Sequence, residues 1–95
     1  MDEGRAAYDV MHKVGYVARM VRYLDFNDEI AAKLKVIMNS VSEEPYFRDF
    51  TEEEVEFIRG LVKEYKERYG VSIVDRMANF YGAEVRVYLS EFEVV

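Results

Sequence analysis

The amphipathic pattern of the first 24 residues is the feature that most restricts how this chain can fold. Over residues 3–24 the apolar side chains recur at spacings of three and four, which is the period of an α-helix with one buried face. The residues of this stripe are Ala7, Val10, Val14, Val17, Val21 and Leu24, with Met11 and Ala18 beside them. We therefore expect one long helix at the start of a mostly α-helical fold.

A second helix is predicted shortly after the first. The same apolar spacing continues over residues 28–42, and either Asp25 or Asn27 is placed to cap the first turn of this segment. Because the link between the two helices is short, we expect them to be antiparallel neighbours.

The clearest local signal in the chain opens the third helix. Thr51 and Glu54 have the spacing of a capping box, and Phe50 and Val55 occupy the hydrophobic staple positions around it. Gly70 is expected to end this helix in a left-handed conformation, which glycine adopts without steric cost.

A shorter fourth helix is predicted over residues 73–81. Ser72 and Asp75 resemble a second capping box at its start, and Gly82 closes it. The apolar faces of the four helices together form the predicted core. Its members are Val10, Val14, Val17, Val21, Leu24, Ile30, Leu34, Ile37, Val41, Val55, Ile58, Leu61, Val62, Tyr65, Ile73 and Met77.

The segment after the fourth helix is predicted to be a β-strand that packs across this core. Val85, Val87 and Leu89 alternate with polar or aromatic side chains, as in a half-buried strand. The alternation changes phase near Ser90–Glu91, because Phe92 has the opposite parity to Leu89. A helix is the alternative, because Val85, Leu89 and Phe92 lie at spacings of four and three, which is the helical period.

A strand at the end of the chain needs a hydrogen-bonding partner. Residues 46–50, the same strand in a second copy of the chain, or an edge of another protein would each serve. We favour the second copy, because eight tyrosines and six phenylalanines are more aromatic surface than one small core accommodates. The predicted interface consists of Tyr46, Phe47, Phe57, Tyr88, Phe92 and Val94.

Composition narrows the class of protein. A chain of 95 residues is expected to form a single domain over residues 1–95, and the absence of cysteine excludes disulfides and thiolate metal sites. The net charge of −6 makes nucleic acid an unfavourable partner. No signal peptide or apolar run of membrane-spanning length is present, so we expect a cytoplasmic protein without a cofactor. The absence of glutamine and the abundance of Glu and Arg resemble the usage of heat-adapted proteins.

Two groups of polar residues suggest catalytic chemistry. Asp9 and His12 lie one helical turn apart, as in a carboxylate–histidine pair, but no nucleophile or metal-binding pattern accompanies them. Glu52, Glu53 and Glu56 would share one end of the third helix, as in a magnesium-dependent phosphohydrolase. Further carboxylates from a second helix are missing, since Glu64 and Glu67 are on the same helix. Acidic residues also favour a helix N-terminus for electrostatic reasons alone.

The order of elements after residue 55 also has the outline of a winged helix-turn-helix. In that alternative the helix over residues 73–81 reads DNA, Arg76 and Asn79 contact base edges, and Arg86 lies on a wing strand. The acidic surface and the missing basic patch count against it. We therefore predict a four-helix domain with a C-terminal strand that acts as a non-enzymatic protein–protein interaction module and forms a homodimer.

Overall fold

The computed structural model describes residues 3–43 and 47–93 of the chain. Over those residues it is mostly helical and contains no β-strand. The helices are α1 (Glu3–Met20), α2 (Asp28–Val41), α3 (Glu52–Tyr69), α4 (Ile73–Tyr81) and α5 (Glu84–Leu89). Short 3-10 helices follow α1 at Val21–Tyr23 and α5 at Ser90–Phe92. The chain divides into two compact units, Met1–Phe50 and Thr51–Val95, and the prediction of a single domain over residues 1–95 stays a prediction.

The first unit contains the two helices that the apolar spacing predicts. The Asn27 side chain accepts a hydrogen bond of 2.9 Å from the backbone N–H of Ile30, so Asn27 rather than Asp25 caps α2. Val17 and Met20 of α1 are fully buried, because they lie on its apolar face. The predicted helix over residues 3–24 is confirmed as an α-helix that tightens into a 3-10 turn near its end.

The segment that follows α2 is fastened to the helices of the same unit. Lys13 of α1 forms an ion pair of 2.6 Å with Asp49, and the Lys13 side chain is only 15% exposed. Arg48 donates a hydrogen bond of 2.8 Å to the hydroxyl of Ser40 on α2. These contacts hold residues 48 and 49 against the helices without any strand pairing.

The second unit begins with the predicted capping box. The Thr51 hydroxyl accepts from the backbone N–H of Glu54 at 3.1 Å, and the Glu54 carboxylate accepts from the backbone N–H of Thr51 at 2.9 Å. Gly70 ends α3 with a φ of 75° in the left-handed region. Ser72 caps α4 through its hydroxyl, which accepts from the N–H of Asp75 at 3.4 Å.

The predicted C-terminal strand is wrong, because residues 84–89 form α5 and continue into a 3-10 turn. Val85, Leu89 and Phe92 are all fully buried, and their spacing of four and three is the helical period. Val87, which the strand pattern places in the core, is 73% exposed. The change of phase near Ser90–Glu91 therefore reflects the helical period. Without a strand in the described residues, neither pairing with residues 46–50 nor strand addition finds support in this fold.

Most of the remaining predicted core is confirmed. Val10, Val21 and Ile30 are partly buried, and the other helical core positions from Val14 to Met77 are buried. Met20 and Val74 are completely buried without having been predicted, because helical faces are wider than a strict three-and-four stripe.

Candidate functional site

The site begins with the way α4 and α5 are joined. Only Gly82 and Ala83 separate the two helices, which pack against each other. Gly82 has a φ of 109°, a backbone conformation that side-chain-bearing residues rarely adopt, and its N–H donates to the carbonyl of Ala78 at 2.8 Å. The glycine therefore ends α4 sharply and lets α5 start immediately.

Two large apolar side chains of this helix pair point away from the described core. Phe80 of α4 is 81% exposed and Val87 of α5 is 73% exposed, which makes them the most exposed large apolar residues in the described part of the chain. We call them the apolar pair. The Phe80 ring makes an edge contact with Tyr81, with 4.9 Å between the ring centroids.

The exposure of Phe80 is unusual because its position is a core-facing one. Phe80 lies seven residues after Ile73 and three after Met77, so helical spacing places it on their side of α4. Ile73 and Met77 are 1% and 3% exposed, whereas Phe80 is 81% exposed. The apolar face of α4 therefore extends one turn beyond its cover.

Charged side chains of α4 and α5 form contacts within the second unit. Arg86 of α5 forms an ion pair with Asp75 of α4, and Nη1 of Arg76 donates to the phenol oxygen of Tyr65 on α3 at 2.6 Å. Asn79 is exposed. In the DNA-binding alternative Arg76 and Arg86 would contact DNA, but here both contact the protein. Arg86 lies on α5, and the wing strand of that alternative is absent from the described residues.

The predicted interface residues differ in their burial, and their role in an interface stays a prediction. Phe47, Phe57 and Tyr88 are half-buried, and Phe92 is fully buried. Tyr46 and Val94 lie outside the described residues. Phe92 is thus unavailable to a partner in this fold, because helical winding turns its ring inward beside Leu89.

The acidic residues of α3 are engaged in pairs along their own helix. Glu56 forms an ion pair of 2.7 Å with Arg59, and Glu64 forms one of 2.6 Å with Arg68. Glu52 and Glu53 are exposed in the first turn. Within the part of the chain that the structure describes, no three side chains of the metal-binding types converge on one point.

The His12 ring lies against a tyrosine of its own helix. Its centroid is 4.2 Å from that of Tyr8, one turn earlier on α1. Within the described residues, the Asp9 carboxylate forms no hydrogen bond with His12, and the Asp9 side chain is exposed.

The sequence pattern does not predict the apolar pair, for two different reasons. Period-two alternation places Val87 in the core, whereas helical spacing with Val85, Leu89 and Phe92 does not. Phe80 stands at a position that helical spacing would bury, and only the tertiary structure shows that it is uncovered. No local sequence signal distinguishes a covered apolar position from an uncovered one on the same helix face.

Among the described helices, none combines the length and the apolar character that crossing a membrane requires. No protein-family model matches this chain, and no curated protein or solved structure shows significant similarity to it.

Proposed function

We propose that this chain is a non-enzymatic protein–protein interaction module that binds a second copy of itself through the apolar pair. The observation that carries the proposal is the exposure of Phe80, which is 81% at a core-facing position of α4. An apolar face that continues past its own cover is completed when another apolar surface packs on it.

Burial of the apolar pair contributes favourably to association. Burying a phenylalanine or valine side chain contributes about 1.5–3 kcal/mol. In a two-fold symmetric dimer the same residues of both copies enter the interface, so Phe80 and Val87 contribute four side chains. The fourteen aromatic residues of the chain also support the proposal. Several of their rings remain partly exposed and would be buried if a second copy packed on them.

The test compares the molar mass of two variants with that of the unmodified chain. Sedimentation equilibrium at high micromolar concentration should give a dimer for the unmodified chain and a monomer for the Phe80→Ser, Val87→Ser double variant. Val36→Ser is the matched control, because Val36 is 68% exposed on α2 and lies outside the apolar pair. This control should remain a dimer.

Circular dichroism separates loss of association from loss of folding. Both altered positions are exposed, so the helical signal of the double variant should equal that of the unmodified chain. The proposal is ruled out if the unmodified chain is monomeric at high micromolar concentration. It is also ruled out if the double variant still dimerises.

A further inference from the structure

The first unit contains a groove between α1 and α2. Its residues lie in a different part of the sequence from the apolar pair. Its volume is about 290 Å³. It is lined by Ala18, Val21, Arg22, Asp25, Ala31, Leu34, Lys35, Met38 and Asn39. The apolar members belong to α1, α2 and the 3-10 turn between them, and three of the other members are charged.

Two small residues contribute to the lining of the groove. Ala18 of α1 and Ala31 of α2 carry only a methyl group where a longer side chain would fill the space. Leu34 is 2% exposed and lies at the base, while Val21 and Met38 are partly buried. The groove thus offers an apolar base that side chains from outside can reach.

Two cations at this groove have no partner within the described chain. Arg22 and Lys35 make no hydrogen bond or ion pair with residues 3–43 or 47–93. Asp25, the one carboxylate of the lining, forms no ion pair with either of them. By contrast, Lys13, Arg59 and Arg68 each hold a carboxylate within 2.7 Å.

Only one other pair of described cations shares this property. Lys63 and Lys66 are also without a partner and line a groove beside α3, of about 450 Å³. Glu67, Asp75 and Glu93 line that groove too, so its carboxylates outnumber its ammonium groups. Of these two grooves in the described part of the chain, the α1–α2 groove combines an apolar base with an excess of positive charge.

We infer that the α1–α2 groove binds an acidic amphipathic segment of another protein, with apolar side chains on the base and carboxylates beside Arg22 and Lys35. The groove volume of about 290 Å³ lies at the lower end of the range for ligand pockets, about 300–1,000 Å³, which suits one or two side chains of a peptide. Helix-in-groove recognition uses the same combination of apolar anchors and flanking charges. This surface and its partner are distinct from the self-association proposed above.

The test measures fluorescence anisotropy with the full chain and a short labelled helical peptide. The peptide carries leucines at three-and-four spacing and glutamates at its other positions. We expect saturable binding that is lost when serine replaces the leucines or glutamine replaces the glutamates. The Arg22→Glu, Lys35→Glu variant should weaken binding by about tenfold, because two attractive contacts become repulsive.

Two variants serve as controls with opposite purposes. Lys63→Glu, Lys66→Glu changes the net charge by the same amount at two lysines without a partner among the described residues and should leave peptide affinity nearly unchanged. Ala31→Leu adds no charge and should weaken binding by filling the groove. Circular dichroism and thermal unfolding of each variant establish that it is folded before its affinity is compared.

Three results would overturn the inference. One is the absence of saturable binding, and another is an equal loss of affinity in the two charge-reversal variants, which would indicate non-specific attraction. The third is an Arg22→Glu, Lys35→Glu variant that is monomeric while the Lys63→Glu, Lys66→Glu variant stays dimeric, which would make a second copy of this chain the occupant. The Phe80→Ser, Val87→Ser variant should still bind the peptide, so failure of one proposal is distinguishable from failure of the other.

Discussion

Phe92 anchors the described end of the chain. Its ring is completely buried, and the preceding carbonyl of Glu91 accepts a hydrogen bond of 2.9 Å from Nε of Arg59 on α3. A second nitrogen of the same guanidinium, Nη2, donates to that carbonyl as well. The Arg59 side chain of α3 therefore holds the backbone next to the buried Phe92 ring.

Replacing Phe92 with alanine should destabilise the protein severely. Removing a fully buried phenylalanine ring costs about 3–5 kcal/mol, because apolar burial is lost and a cavity is left. Urea denaturation followed by circular dichroism measures the change in the free energy of unfolding.

Val87→Ala is the control for that measurement. Val87 is 73% exposed, so its truncation should change the free energy of unfolding by less than about 0.5 kcal/mol. The comparison is made at low protein concentration, where self-association does not contribute. A greater loss for Val87→Ala than for Phe92→Ala would contradict the helical assignment of α5.

At the scale of elements, local signals determine where the long helices begin and end. The capping box at Thr51 satisfies one backbone N–H at the start of α3 and one at the capping residue itself. The last turn of the same helix contains Lys66 and Arg68, and its first turn contains Glu52, Glu53 and Glu54, an arrangement that complements the helix dipole.

Thr51→Ala should destabilise the protein through the loss of this cap. We expect about 1 kcal/mol, because the N–H of Glu54 loses its side-chain acceptor. Thr51→Ser retains the hydroxyl and should be nearly neutral. Thermal unfolding of the three proteins measures the difference, and an alanine variant as stable as the serine variant would show that water replaces the cap without cost.

At the scale of the whole molecule, the net charge of −6 opposes self-association. Added salt screens the repulsion between two copies of the chain but leaves the burial of apolar side chains largely intact. The proposed dimer should therefore become tighter as the ionic strength rises from about 0.01 M to 0.15 M, over which the Debye length shrinks from about 30 Å to about 8 Å.

Sedimentation equilibrium across that range of salt checks the sign of the effect. Binding of the acidic peptide to the α1–α2 groove should change in the opposite direction, because its charge contacts are attractive. A dimer that dissociates as salt is added would indicate that opposite charges, and not the apolar pair, hold the two copies together.

The cases of α3 and α5 show how far the sequence predicts this fold. The ends of α3 depend on Thr51, Glu54 and Gly70, whose effects act over a single turn, and all three were predicted correctly. The six residues of α5 are too few for a stable isolated helix, so their conformation depends on packing. Both a strand and a helix were compatible with that short apolar segment.

The sequence by itself therefore determined the mostly helical class, the caps and the buried stripes of α1 to α4, because these depend on neighbouring residues within a turn or two. Only the tertiary structure decided that the last segment is a helix, that Phe92 is buried and that Phe80 and Val87 are exposed. The physical reason is that burial depends on which distant residues cover a position. Helical spacing tells which side of an element is apolar, but it carries no information about where the covering element stops.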